Sequence, residues 1–183
     1  MAEVKVREII ESGFKVTVPE ETSFRFEENQ HYRKLSGIGL KEMDVGWWKS
    51  DSSKLIFLEL KGMEIWKGFD KSKDNAHEYL VKSLKRKITD VLLMMAAIWI
   101  ETDIGKDMKT QLPEVVHQYP GDGSLKLIIL IDTPDSRKPL LSPLKDAVNN
   151  KLAGRVRLFG VQHVTIIDFD KANKMKLPVT RDE

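Results

Sequence analysis

Asp44, Glu59 and Lys61 are the residues whose types and spacing best suit chemistry in this chain. Asp44 lies in the run Met43–Trp48, and Glu59-Leu60-Lys61 closes the run that starts at Leu55. Between them stands Lys49-Ser50-Asp51-Ser52-Ser53-Lys54, a Ser/Asp cluster of the kind that turns a hairpin. With Asp51 and Ser52 as the loop, antiparallel pairing sets Asp44 opposite Glu59. Opposed residues share a face, with Cβ atoms roughly 4.5–5.5 Å apart. Residues two apart on one strand also share a face, so Lys61 joins them. Two carboxylates about 5 Å apart repel by roughly 3 kcal/mol at an effective dielectric near 20. Without a counter-charge, one of them would take up a proton. Mg²⁺, with Mn²⁺ as a substitute, removes that penalty, because it prefers oxygen ligands and binds through one or two carboxylates plus waters and phosphate oxygens. Such an ion polarises a phosphoryl group and acidifies a bound water. Lys61 would orient the attacking water and offset charge developing on phosphorus. The residues therefore predict a metal site at Asp44 and Glu59 with a cation beside it.

The elements that must position them follow from pattern. Leu55-Ile56-Phe57-Leu58 is apolar on both faces, as expected of a central strand covered on both sides. Glu and Lys are rarely buried without partners, so placing both at the end of such a strand is costly. The bland alternative is a strand leaving the core, with Glu59 and Lys61 forming a surface pair. Acid-x-Lys recurs at Glu3-Val4-Lys5 and Asp107-Met108-Lys109, but neither follows an Asp-bearing strand. Val4–Glu11 reads as a short helix ended by Ser12-Gly13. Phe14–Val18 and Ser23–Phe26 alternate as strands, and Asn29–Lys41 reads as a loop. From Asp74 to Thr102, Leu84, Ile88, Val91, Leu92, Met95 and Trp99 recur at helical steps. Leu125–Ile131 is a second apolar strand. A helix is expected from the Ser142 cap to Gly154, then a strand over Val161–Phe169 and a polar tail from Lys171.

The 183 residues, 41% of them hydrophobic, suit one domain with its own core. No N-terminal stretch has the character of a secretory signal, and the longest apolar run, Val91–Ile100, is half a membrane span. A cytoplasmic protein without a membrane partner is the expectation. The chain has no cysteine, which excludes disulfides, thiolate catalysis and zinc–thiolate sites. The four histidines are scattered without zinc-ligand spacing. There is no GxSxG elbow or P-loop, and Gly37-Ile38-Gly39 reads as a turn.

Asp44, Glu59 and Lys61, with the two acids fifteen positions apart, resemble the PD-(D/E)xK nuclease superfamily. Met43 stands in the place of the motif's proline. The resemblance implies a restriction-endonuclease-like α/β (α+β) fold, a mixed sheet flanked by helices in the order αβββαβαβ. It implies a Mg²⁺-dependent nuclease, an endonuclease or exonuclease, hydrolysing phosphodiester bonds in DNA, with RNA as the alternative substrate. It also implies a further acid from the first helix, where Glu11 is preferred over Glu8, with Glu27 and Glu28 as competing sources. A catalytically inactive nucleic-acid-binding or scaffold subunit of the same fold is the alternative. Arg33 and Lys34, before the Asp44 strand, and Lys85 and Lys87, on the long helix, are candidate phosphate contacts. Lys85 and Lys87 point about 200° apart on a helix, so they cannot serve one face. Trp66 is the aromatic singled out for a substrate contact. The resemblance also raises a homodimer, for which the all-round apolar Val91–Ile100 offers an isologous surface; complete burial of that stretch within the monomer is the equal alternative.

Overall fold

The protein is described by a computed structural model over residues 5–71 and 73–182. Strands β1 (Val6–Glu11) and β2 (Phe14–Pro19) form an antiparallel hairpin. Ser12 and Gly13, at φ 54° and 78°, make its two-residue turn. Positive φ at both central residues is what a type I′ turn demands, and its twist matches that of the flanking strands. The expected helix over Val4–Glu11 is therefore corrected to a strand, with Val4 outside the described residues. Ser12-Gly13 turns a hairpin and does not cap a helix.

Next come the short strand β3 (Ser23–Phe24) and helix α1 (Gln30–Ser36), the latter within the stretch expected to be a loop. Asn29 caps α1 by accepting from the His31 and Tyr32 amides at 3.0 and 3.1 Å, and buried Tyr32 anchors it. The hairpin β4 (Val45–Lys49) and β5 (Lys54–Lys61) pairs in the expected register, Val45 with Leu58 through Lys49 with Lys54. Helices α2 (Ile65–Lys71), α3 (Lys73–Trp99) and α4 (Asp103–Lys109) precede β6 (Leu125–Ile131), which lies parallel to β5. Helix α5 (Leu141–Arg157) starts beyond a 3₁₀ turn and runs through Gly154, which the sequence reading had as its stop. Only Thr165–Ile167 of the expected last strand pairs, as β7. The tail adds helix α6 (Phe169–Lys174) and strand β8 (Val179–Arg181).

The described residues thus form a mixed α+β architecture with two sheets, ordered β3-β4-β5-β6-β7 and β1-β2-β8. Between β4 and β7 the chain runs β4, β5, α2, α3, α4, β6, α5, β7, with three helices where the expected order has one. The leading helix is a strand, and the three-stranded sheet was not foreseen. One core lies between the larger sheet and α3, α4 and α5, and takes Leu55 and Phe57 from β5. The other lies between that sheet and the smaller one, and takes Ile56, Leu58 and Leu60. This alternation places Glu59 and Lys61 on the α3 side. Gly46 lets Phe24 and Phe57 close over β4, since a Cβ there would sit 2.6 and 2.9 Å from their rings.

In the apolar stretch of α3, Val91, Leu92, Met94, Met95 and Ile98 are buried within the chain. Leu93 and Ile100 are exposed. Packing against the sheet, α4 and α5 therefore covers most of the surface on which a dimer had been expected. Among the described residues no helix is long and apolar enough to cross a membrane.

Candidate active site at the end of the central hairpin

Continuing the β4–β5 register by one pair brings Asp44 opposite Glu59, although Asp44 itself lies in a bend just before β4. Its side chain is fixed from β5, where the Leu60 amide donates to Oδ2 at 2.6 Å. Its carbonyl accepts from Arg25 Nε at 3.0 Å. Glu59 is 1% exposed, and both Lys61 Nζ and Lys87 Nζ stand 2.7 Å from its Oε1. Lys87 Nζ also lies 3.6 Å from Asp44 Oδ1, bridging the two acids from helix α3. These contacts with Glu59 are ionic, not well-directed hydrogen bonds, and its buried Oε2 has no hydrogen-bond partner among the described residues.

Burial pushes the Glu59 carboxyl above its usual range, and Asp44 pushes it the same way. Lys61 and Lys87 pull it down without cancelling the rise. For Lys87, burial acts to discharge the ammonium, but Glu59 and Asp44 outweigh it and its pKa rises. The balance differs because Glu59 is sealed, whereas a fifth of the Lys87 side chain reaches solvent. Lys87 is therefore held charged, and the ammonium groups beside Glu59 offset part of the cost of burying its carboxyl.

These donors fit a hard divalent cation. The buried Oε2 is an unpartnered oxygen, Asp44 supplies a second carboxylate, and Mg²⁺ commonly takes only one or two. Among the described residues no group of three or more His, Asp or Glu side chains is arranged to hold a metal, so waters or phosphate would complete the shell.

The other expected residues fall differently. Glu11 does not join the carboxylates. In a strand it shares the inward face of Ile9 and meets Arg25 at 3.3 Å, so it reaches Asp44 only through that guanidinium. Glu8 pairs with Lys15, Glu27 with Arg25 and Glu28 with Arg7. Arg33 and Lys34 are exposed on α1, which packs against α4. Lys85 and Lys87 diverge as helical geometry requires, and Lys87 turns inward to the acids instead of outward to phosphate. Trp66 is buried, with Nε1 donating to the Asp132 carbonyl at 2.8 Å, and offers no stacking face.

Arg25 was missed, and Lys87 was named for phosphate and not for the carboxylates. Arg25 has no sequence signature. Lys87 had one, because it stands in the stripe Leu80, Leu84, Lys87, Val91, a lysine where core-facing spacing calls for an apolar residue. Neither a family model, nor a curated protein, nor a solved structure matches this chain, so its functional reading rests on this geometry.

Proposed function

We propose that the protein is a Mg²⁺-dependent nuclease of the PD-(D/E)xK type that hydrolyses phosphodiester bonds in DNA. The observation that carries this reading is the buried Glu59 carboxylate with a free oxygen, set beside Asp44, Lys61 and Lys87. Asp44 and Glu59 would hold the ion, which supplies Lewis-acid polarisation of the phosphoryl group and acidification of water. Lys61, at the mouth of the site, orients the attacking water and stabilises charge gathering on the phosphoryl oxygens. Lys87 opposes the burial that favours the protonated form of Glu59 and so lowers the cost of its acting as a ligand. Leu60 fixes the Asp44 carboxylate through its amide, and Arg25 fixes the Asp44 main chain.

One observation favours a second reading. Two carboxylates facing two ammonium groups are already balanced in charge, as a binding domain without catalysis would need. Cleavage of labelled DNA in Mg²⁺ or Mn²⁺, with and without EDTA, separates the two. Activity is expected to require the ion, to vanish in Asp44→Ala and Glu59→Ala, and to fall about 10²–10³-fold in Lys61→Ala. Combining these substitutions should add little further loss, because the groups act as a unit. Wild-type cleavage by a folded Glu59→Ala protein would overturn the nuclease reading.

A further inference from the structure

Two adjoining grooves run past the candidate site. One, of about 540 Å³, lies between α2 and the first turns of α3, reaches Lys61, and is walled by Ile65, Phe69 and Leu80. The other, of about 440 Å³, is lined by Lys41, Tyr79, Lys82, Ser83, Arg86 and Lys87. They share Tyr79 and Ser83, so Tyr79 stands at their junction, and it is 75% exposed. Of the described charged side chains lining the pair, six are basic and one, Glu64, is acidic. Lys61, Lys87 and Arg86 already face Glu59, Asp44 and Asp90, and Lys41, Lys71 and Lys82 carry the remaining positive charge. Tyr79, Lys82, Ser83, Arg86 and Lys87 follow the spacing i, i+3, i+4, i+7, i+8, a single helical face. The face that delivers Lys87 to the carboxylates therefore presents a ring and two further cations on the preceding turns. Arg86 is held in place by Asp90 at 3.7 Å and by the Gly39 carbonyl.

We propose that this face of α3 receives a single-stranded segment of nucleic acid, with an unstacked base on the Tyr79 ring and adjacent phosphates on Lys41, Lys82 and Arg86. The proposal rests on the nuclease reading for the direction in which the strand leads, toward Asp44 and Glu59. Charge complementarity selects a polyanion, and an open aromatic platform beside it selects one with bases free to stack. Bases inside a closed duplex have both faces covered by their neighbours, so they cannot use such a ring. The eight helical steps from Tyr79 to Lys87 span about 12 Å. At the roughly 3.4 Å per nucleotide of a strand stacked in a duplex that is at most three or four nucleotides, and an unstacked, more extended strand covers it with fewer. A base on Tyr79 would thus be separated from the cleaved linkage by a few nucleotides.

The test is fluorescence anisotropy of the full chain in EDTA, where no turnover occurs, with labelled oligothymidylate, its duplex with oligoadenylate, and oligouridylate. The single strand is expected to bind more tightly than the duplex. Tyr79→Ala should weaken single-strand binding about tenfold or more, within the range of one base stacked on an aromatic ring, while Tyr79→Phe retains it. Lys82→Ala should lower the salt slope by about one unit and spare the preference for single strands. Tighter binding of oligouridylate than oligothymidylate would assign the strand as RNA, and the reverse as DNA. Unchanged single-strand binding in Tyr79→Ala, or a preference for the duplex, would overturn the proposal even if Mg²⁺-dependent cleavage stands. Tyr79-dependent binding without cleavage would sink only the nuclease reading.

Discussion

An ammonium and a divalent cation compete for the same oxygens when two carboxylates converge, and Lys87 holds that position between Asp44 and Glu59. Removing one partner of a buried ion pair costs about 3 kcal/mol at the low end, which suits a lysine that is one-fifth exposed. Lys87→Met is therefore expected to lower the unfolding temperature in EDTA and to be rescued by Mg²⁺ more than the wild type. Calorimetry in both buffers reads this without any cleavage assay, and equal indifference of both proteins to Mg²⁺ would remove the ion from these carboxylates. Glu59 makes a second prediction. Its carboxyl is raised in the folded state, so the folded protein holds that proton more tightly than the unfolded chain. Its contribution to stability is present below the unfolded value of 4.5 and is lost as pH rises through the higher folded value. Glutamine does not titrate, so the stability of Glu59→Gln relative to wild type in EDTA should increase from acid to neutral pH. A difference that is flat or shrinks over that range would contradict the raised carboxyl.

At the scale of elements, the hairpin β4–β5 sets the site because its register brings Asp44 to Glu59 and its alternation turns Glu59 toward α3. Gly46, two residues from Asp44, leaves no room for a side chain. An added methyl would press into the Phe24 and Phe57 rings at 2.6 and 2.9 Å, and overpacking of this kind costs about 1–3 kcal/mol. For a chain of this length Gly46→Ala should lower the unfolding temperature by about 3–10 °C, measured by circular dichroism. Arg25 ties the end of β3 to the Asp44 carbonyl and carries Glu11 and Glu27 on its other nitrogens. That arrangement makes Glu11 a support for the position of Asp44, so Glu11→Gln should leave Mg²⁺-dependent stabilisation intact where Asp44→Asn abolishes it.

Across the whole molecule β8 closes the smaller sheet by pairing with β2, and Arg181 reaches Asp132 at 3.0 Å. Ending the chain at Lys174 should lower stability by about 2 kcal/mol or more, the worth of burying Val179, with chemical denaturation as the readout. The buried inner side of α3 leaves only Leu93 and Ile100 exposed along its apolar stretch, and sedimentation at micromolar concentration is expected to report the 21.0 kDa monomer. The sequence by itself determined the β4–β5 register, the apolar stripe of α3 and the central strands β5 and β6. Each depends on a local period and a local turn, and those are written in consecutive residues. It misread Val6–Glu11 because three apolar residues in six fit a short helix or a strand equally, and Ser12-Gly13 serves either ending. The sheet β1-β2-β8 lay beyond it, because pairing residues 14–16 with 179–181 has no local signature. Only the tertiary structure decided that Lys87 enters the carboxylate pair, that Glu11 stops at Arg25 and that Tyr79, not Trp66, faces the groove. Those outcomes depend on how α3 is placed against the sheet, and helical spacing fixes which residues share a face but not what that face meets.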